Sequence, residues 1–134
     1  MEKLEHIGIA VKNLDESNQL FAKLLGKTHY KIEEVASEGV RTSFFELGGV
    51  KFELLEATHS DSPIARFIEK RGEGIHHLAF EVADLGQSIH DYGQKGFTLL
   101  NNQPKAGADH KQIAFMHPKG TNGVLVELCQ EVKS

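Results

Sequence analysis

The sequence predicts an α+β fold: two tandem βαβββ modules forming a curved, cleft-forming mixed sheet, within one domain of 134 residues. Three observations predict it. The chain repeats its own order of elements at about half its length. Each repeat alternates apolar and polar residues where strands belong and moves to helical spacing in between. Capping and turn residues stand at the junctions. The expected boundaries are about 1–60 for the first module, 61–73 for a linker helix and 74–134 for the second.

Leu4 to Val11 alternates as a half-buried strand does, with Ile7, Ile9 and Val11 on one face and His6, Gly8 and Ala10 on the other. A helix follows. Asn13 with Glu16 three residues on forms a capping-box pattern, Leu14, Phe21, Leu24 and Leu25 are expected on one helical face, and Gly26 stands where a C-terminal cap belongs. Strands are expected over about 28–35, 40–47 and 50–57, the last two joined by a Gly48-Gly49 hairpin turn. Ser62 and Pro63 open the linker helix, Ile64, Phe67 and Ile68 form its apolar stripe, and Gly72 ends it.

The programme then restarts. Ile75 to Val82 reads as a strand, Asp84 caps a helix over about 85–95, Gly96 ends it, and three strands are expected after it. His6, Val11, Leu14 and Ser17 recur as His77, Val82, Leu85 and Ser88, each 71 residues later, and Tyr92 matches Phe21. Val50 to Leu55 matches Val124 to Cys129 at a spacing of 74, so Glu53 recurs as Glu127. The Gly- and Lys-containing stretch Lys105 to Lys111 is expected to be a mobile loop.

Composition narrows the function. A chain of this size buries enough surface to fold without a disulfide or structural metal, so a metal is expected to serve chemistry. Fifteen Lys and Arg against 19 Asp and Glu give a net charge of -4 with no basic run, which argues against a nucleic-acid partner. No apolar run approaches the roughly 18 residues of a membrane span. The single cysteine, Cys129, excludes an intrachain disulfide, and the charged, alternating start Met1 to His6 is unlike a signal peptide; a cytoplasmic location is expected. No Walker A, GxGxxG or Cys-x-x-Cys pattern occurs.

Eight histidines remain to be explained. A lone His, or a lone Glu on the polar face of a strand, is ordinarily solvated surface. Here each module has a His early in its first strand and a Glu within its last. Strand parity turns His6, Glu53, His77 and Glu127 away from the helix-packed faces. If the sheets curve toward each other, two imidazoles and two carboxylates meet, and Gly8, Ala10 and Ala79 leave room beside them. Two nitrogen and two oxygen donors suit Co²⁺, Ni²⁺, Zn²⁺ or Mn²⁺ better than Ca²⁺ or an iron-sulfur cluster. Octahedral geometry leaves two positions for a substrate oxygen to be polarised, with a carboxylate as base for the adjacent C–H. His29, His59, His90 and His110 lack repeat partners and are read as surface. His76 faces away from His77 and is read as structural. Cys129 shares Glu127's parity, with no His placed to activate it.

These residues resemble the vicinal oxygen chelate superfamily, and within it the methylmalonyl-CoA epimerase family. The resemblance rests on His6-Ile7-Gly8-Ile9-Ala10-Val11, Asp61-Ser62-Pro63-Ile64-Ala65, Gly74-Ile75-His76-His77, Phe115-Met116-His117-Pro118-Lys119 and Gly123-Val124-Leu125-Val126-Glu127-Leu128. It implies interconversion of the (R) and (S) epimers at C2 of methylmalonyl-CoA through a metal-stabilised enolate, with His6, Glu53, His77 and Glu127 at the family's ligand positions. Epimerisation requires a proton-transfer group on each face of C2. Some members carry a Glu on the third strand where this chain has Thr42, and some have Gln in place of Glu53. Glu127 and Glu53 are therefore the expected bases, with Glu46 in reserve. Lys105, Lys111 and Lys119 are expected to meet the negative charges of CoA, Arg41 and Arg66 less so. Edge strands lead us to expect a homodimer.

Two rival readings use the same pattern. Glyoxalase I, a lactoylglutathione lyase, shares the four ligands but usually closes with Asp-Pro-x-Gly-Tyr, where this chain has His117-Pro118-Lys119-Gly120. A metal-free binding or resistance protein needs an apolar or aromatic pocket, and this chain has no Trp and two Tyr. A dioxygenase would use two His and one carboxylate, which the fourth ligand, Glu53, speaks against.

Overall fold

Alternation and capping produce the same sequence of elements twice in the computed structural model, which describes residues 1–132. The last two residues of the expected second module, 133 and 134, lie outside the described residues. The chain divides into two compact units: one is His6–His76, the other combines Met1–Glu5 with the residues from His77 on.

The first unit contains most of β1 (Lys3–Ala10), then α1 (Leu14–Leu25), β2 (Lys31–Val35), β3 (Val40–Leu47), β4 (Val50–Ala57) and α2 (Pro63–Arg71). The sheet order is β2-β3-β4-β1; β1 lies parallel to β4, while β2, β3 and β4 run antiparallel. Asn13 accepts the Glu16 N–H, and Gly26, at φ 74°, closes α1 in the left-handed conformation. The helix packs Leu14, Phe21, Ala22 and Leu25 on Ile9, Phe45, Phe52 and Leu54. Leu24 does not share that face: it is 70% exposed, and Asn18 is buried in the stripe instead. At 3.6 residues per turn, positions 14, 18, 21 and 25 align, whereas 24 falls about a quarter-turn aside. Gly48 and Gly49, at φ 60° and 85°, make the expected two-residue turn.

Helix α2 begins as expected at Ser62, whose fully buried hydroxyl accepts the N–H groups of Ile64 and Ala65. Its stripe of Ile64, Phe67 and Ile68 packs on Ala10, Val35, Val40, Leu55 and Ala57, covering one end of the sheet face opposite α1.

The second unit contains most of β5 (Gly74–Glu81), then α3 (Leu85–Gln94), β6 (Lys105–Ala106), β7 (Lys111–Met116) and β8 (Val126–Glu131). Its order, β5-β8-β7-β6, reproduces the first unit's, with β5 parallel to β8 and the rest antiparallel. Helix α3 packs Leu85, Ile89 and Tyr92 over Val82, Ala114, Met116 and Leu128. The outer edge departs from expectation. Where a full strand was expected, only a bridge from Leu99 to Met116 and the two residues of β6 pair with β7. The stretch expected to be mobile, Lys105 to Lys111, is a hairpin instead. Asp109 and His110, at φ 61° and 55°, supply its left-handed residues, whereas the corresponding β2–β3 connection of the first unit closes with Gly39 at φ 62°. Among the described residues no helix is long and apolar enough to cross a membrane.

Candidate functional site

Each unit builds a buried His–Glu pair from its two parallel strands. In the first, Gly8 of β1 lies opposite Glu53 of β4, and His6, two residues earlier on the same face, reaches across diagonally. His6 Nδ1 lies 3.1 Å from Glu53 Oε2. In the second, Ala79 of β5 lies opposite Glu127 of β8, and His77 again sits two residues before it. His77 Nε2 is 3.4 Å from Glu127 Oε1. The small residue in front of each Glu is what lets imidazole and carboxylate approach. All four side chains are buried, at 4–6% exposed. Phe52 and Leu54 in the first unit, and Val126 and Leu128 in the second, point instead into the helix-packed cores.

Register adds a residue to each pair that the sequence reading did not single out. Phe44 of β3 lies opposite Glu53, and Phe115 of β7 lies opposite Glu127. The Phe115 ring meets the His77 ring edge-on at 5.9 Å. A lysine covers each phenyl ring: Lys31 Nζ is 4.6 Å from the Phe44 centroid and Lys105 Nζ 5.5 Å from that of Phe115. The signal was present in the repeat, because Phe44 and Phe115 share the spacing of the histidines and Lys31 and Lys105 that of the glutamates. Glu5, 4% exposed, was also missed and has no acidic counterpart in the second repeat.

The remaining candidates are distributed unevenly. Lys105 is half-buried beside Phe115, and Lys119 is exposed in a 3-10 turn, Pro118–Thr121, whose first residues are capped by His117. Lys111 is no loop lysine: it is 8% exposed at the start of β7, opposite Glu131. Thr42, 1% exposed, lies on Glu53's face of the sheet, paired across to Leu55. Glu46 is exposed beside the Gly48-Gly49 turn, and Arg41 contacts Glu56 and Asp15. Arg66 is exposed on α2.

Other titratable groups have structural explanations. His76 packs edge-on against Phe67 at 4.9 Å, and burial lowers its pKa to about 4, keeping the ring neutral. Cys129 is fully buried, and its thiol points to the Phe80 carbonyl at 3.5 Å. Burial raises the thiol pKa, and the charges of Glu127 and Glu5 add to the shift, so Cys129 is no nucleophile. His59, His90 and His110 are exposed, while His29 sits edge-on against Phe45.

The donor chemistry of the two pairs fits a divalent cation. Neutral imidazole and carboxylate are ligands of borderline ions, and an ion offsets the cost of burying a carboxylate. His6 with Glu53, and His77 with Glu127, offer such donors.

Comparison with known proteins gives a consistent picture. Residues 5–115 match the model of the Glyoxalase/Bleomycin resistance protein/Dioxygenase superfamily. An uncharacterized Bacillus subtilis protein is 40% identical over 130 residues, 97% of this chain and 93% of that protein. The ethylmalonyl-CoA/methylmalonyl-CoA epimerase of Cereibacter sphaeroides is 37% identical over 96% of this chain and 97% of its own. A structure of a Streptomyces coelicolor methylmalonyl-CoA epimerase variant, in complex with 2-nitronate-propionyl-CoA, superposes with a TM-score of 0.94 at 33% identity, covering 100% of this chain and 99% of that one.

Proposed function

The chain belongs to the Glyoxalase/Bleomycin resistance protein/Dioxygenase superfamily, and from that premise we propose that it is a methylmalonyl-CoA epimerase, interconverting the (R) and (S) epimers by proton transfer at C2. The observation that carries this reading is the 37% identity to the Cereibacter sphaeroides epimerase over nearly the whole of both chains. The recurrence of the buried His–Glu pair at the same diagonal in both units supports it.

On this reading His6, Glu53, His77 and Glu127 are metal ligands, for a divalent ion of the Co²⁺, Ni²⁺, Zn²⁺ or Mn²⁺ type. When bound, it supplies Lewis-acid polarisation of the substrate's thioester and carboxylate oxygens, which makes the C2 hydrogen acidic. The proton transfers belong to the protein. Glu127 takes the C2 proton from one face as the C–H electron pair moves into the thioester carbonyl. Glu53, which enters the cycle protonated and so loosened from the ion, gives that proton to the opposite face as the pair returns to carbon; Glu127 is left protonated and Glu53 ionised, the state from which the reverse reaction runs. Thr42 offers a hydroxyl on the Glu53 face and no base. Lys105 and Lys119 supply positive charge to the CoA phosphates; Lys111, buried in the sheet, contributes charge from within. The protein acts as a homodimer in the cytoplasm.

Incubation of (S)-methylmalonyl-CoA with the Co²⁺-loaded protein in D₂O tests the reading. The expected result is deuterium at C2 together with formation of the (R) epimer. Absence of both, with turnover of the glutathione hemithioacetal of methylglyoxal instead, would make the protein a glyoxalase.

A further inference from the structure

Each unit carries one more paired feature, made from residues that differ in type. In the first, the N–H of Leu14, the opening residue of α1, donates to Glu56 Oε2 at 2.9 Å. In the second, the N–H of Leu85, the opening residue of α3, donates to Gln130 Oε1 at 2.8 Å. Leu14 and Leu85 lie eight residues after His6 and His77; Glu56 and Gln130 lie three residues after Glu53 and Glu127. Each bond thus ties the exit of the His strand to the strand that carries the Glu.

The bond has a distinct task from the helix caps. Asn13 and Asp84 already accept the N–H groups of Glu16 and Gln87, within the same turn. Glu56 and Gln130 reach the helix from another strand. Just before them the parallel pairing ends in equivalent backbone bonds, Val11 N–H to the Leu55 carbonyl and Val82 N–H to the Cys129 carbonyl, both 2.9 Å. Each acceptor is itself oriented. Arg41 Nη2 lies 3.3 Å from Glu56 Oε1, and Gln130 Nε2 donates to the Ala83 carbonyl at 2.9 Å.

We infer that Glu56 and Gln130 are positioning residues, each clamping the His strand to the Glu strand of its own unit and so fixing the distance between imidazole and carboxylate. They face away from the Glu side chains by strand parity and act through the backbone. His and Glu stand on separate strands, so their spacing depends on how firmly those strands are locked where the chain turns into the helix. A charged residue in one unit and a neutral one in the other make the same bond, which points to the oxygen's position, not its charge, as the functional feature.

The inference rests on the metal reading of the two pairs. Calorimetric titration of the apo-protein with Co²⁺, alongside its thermal midpoint, tests it. Glu56→Leu and Gln130→Leu are each expected to weaken Co²⁺ binding by about tenfold or more, as loss of a group that orients a ligand does. Glu56→Gln, which keeps an oxygen in place, is expected to bind as wild type does. Glu56→Asp and Gln130→Asn retract the oxygen by one methylene while preserving polarity, and they weaken binding even if the Leu variants fail to fold. Folded variants that melt lower yet bind Co²⁺ with wild-type affinity would reduce the two residues to helix caps and overturn the inference. A wild-type protein that binds no Co²⁺ would instead overturn the metal reading, and the inference with it.

Discussion

The two units share their inner strands and differ at their edges. Beside each Glu both have a small residue on the neighbouring His strand, a Phe across the ladder and a Lys over that Phe. Away from it they diverge. The first has a five-residue outer strand, β2, and a charged clamp backed by Arg41; the second has a bridge, a two-residue β6 and a neutral clamp. The second also buries Lys111 and Cys129, against Thr42 and Ser43 in the first. The common part is the one to which the proposed chemistry is assigned, and the divergent part shows how much sheet edge can change while the His–Glu diagonal is kept.

The strongest way to break that comparison is to remove one carboxylate at a time. If the units contribute equivalent bases, Glu127→Gln and Glu53→Gln each slow epimerisation by about 100- to 10,000-fold, the usual worth of a positioned acid or base. Each should still exchange the C2 hydrogen of one epimer faster than it epimerises. A Glu53→Gln protein that exchanges and epimerises as fast as wild type would leave Glu127 as the sole base of the two.

A smaller effect separates stability from chemistry. Gly39 stands at φ 62°, and a Cβ there would lie 2.8 Å from His59 Nε2 and 2.9 Å from Ser62 Cβ. The second unit has no such close approach at a left-handed glycine. Gly39→Ala should therefore lower stability in urea by about 2 kcal/mol, combining left-handed strain with crowding at the α2 cap. Co²⁺ affinity should stay unchanged, because the His6–Glu53 diagonal lies elsewhere on the sheet. An unaltered unfolding midpoint would show that the loop yields freely.

Much of this was legible in the sequence where local rules decide. Asn13 and Gly26, Ser62 and Pro63, and Gly48-Gly49 announce their elements because caps and tight turns depend on a few adjacent residues. The His and Glu of each unit were found by repetition, since one spacing recurs for the histidines and another for the glutamates. What depends on register was not legible. Phe44 and Phe115 recur at the histidines' spacing, but their place opposite each Glu follows only from strand pairing, and Lys111 reads as a loop residue until Asp109 and His110 are seen to make a turn. The Glu56 and Gln130 clamps were hidden because the two positions differ in residue type and only their hydrogen bonds agree. Leu24 is apolar yet exposed because helical angle, not hydrophobicity, decides the buried face, and polar Asn18 takes the buried position.

The metal reading makes the buried His–Glu pair of each unit a source of divalent-ion ligands. Co²⁺ titration of wild type, His6→Ala and His77→Ala tests it most directly, reading stoichiometry by calorimetry and ligand number by the visible spectrum of bound Co²⁺. Saturable Co²⁺ binding by wild type, with affinity lost in both variants, is the predicted result. A variant that binds Co²⁺ as wild type does would contradict it.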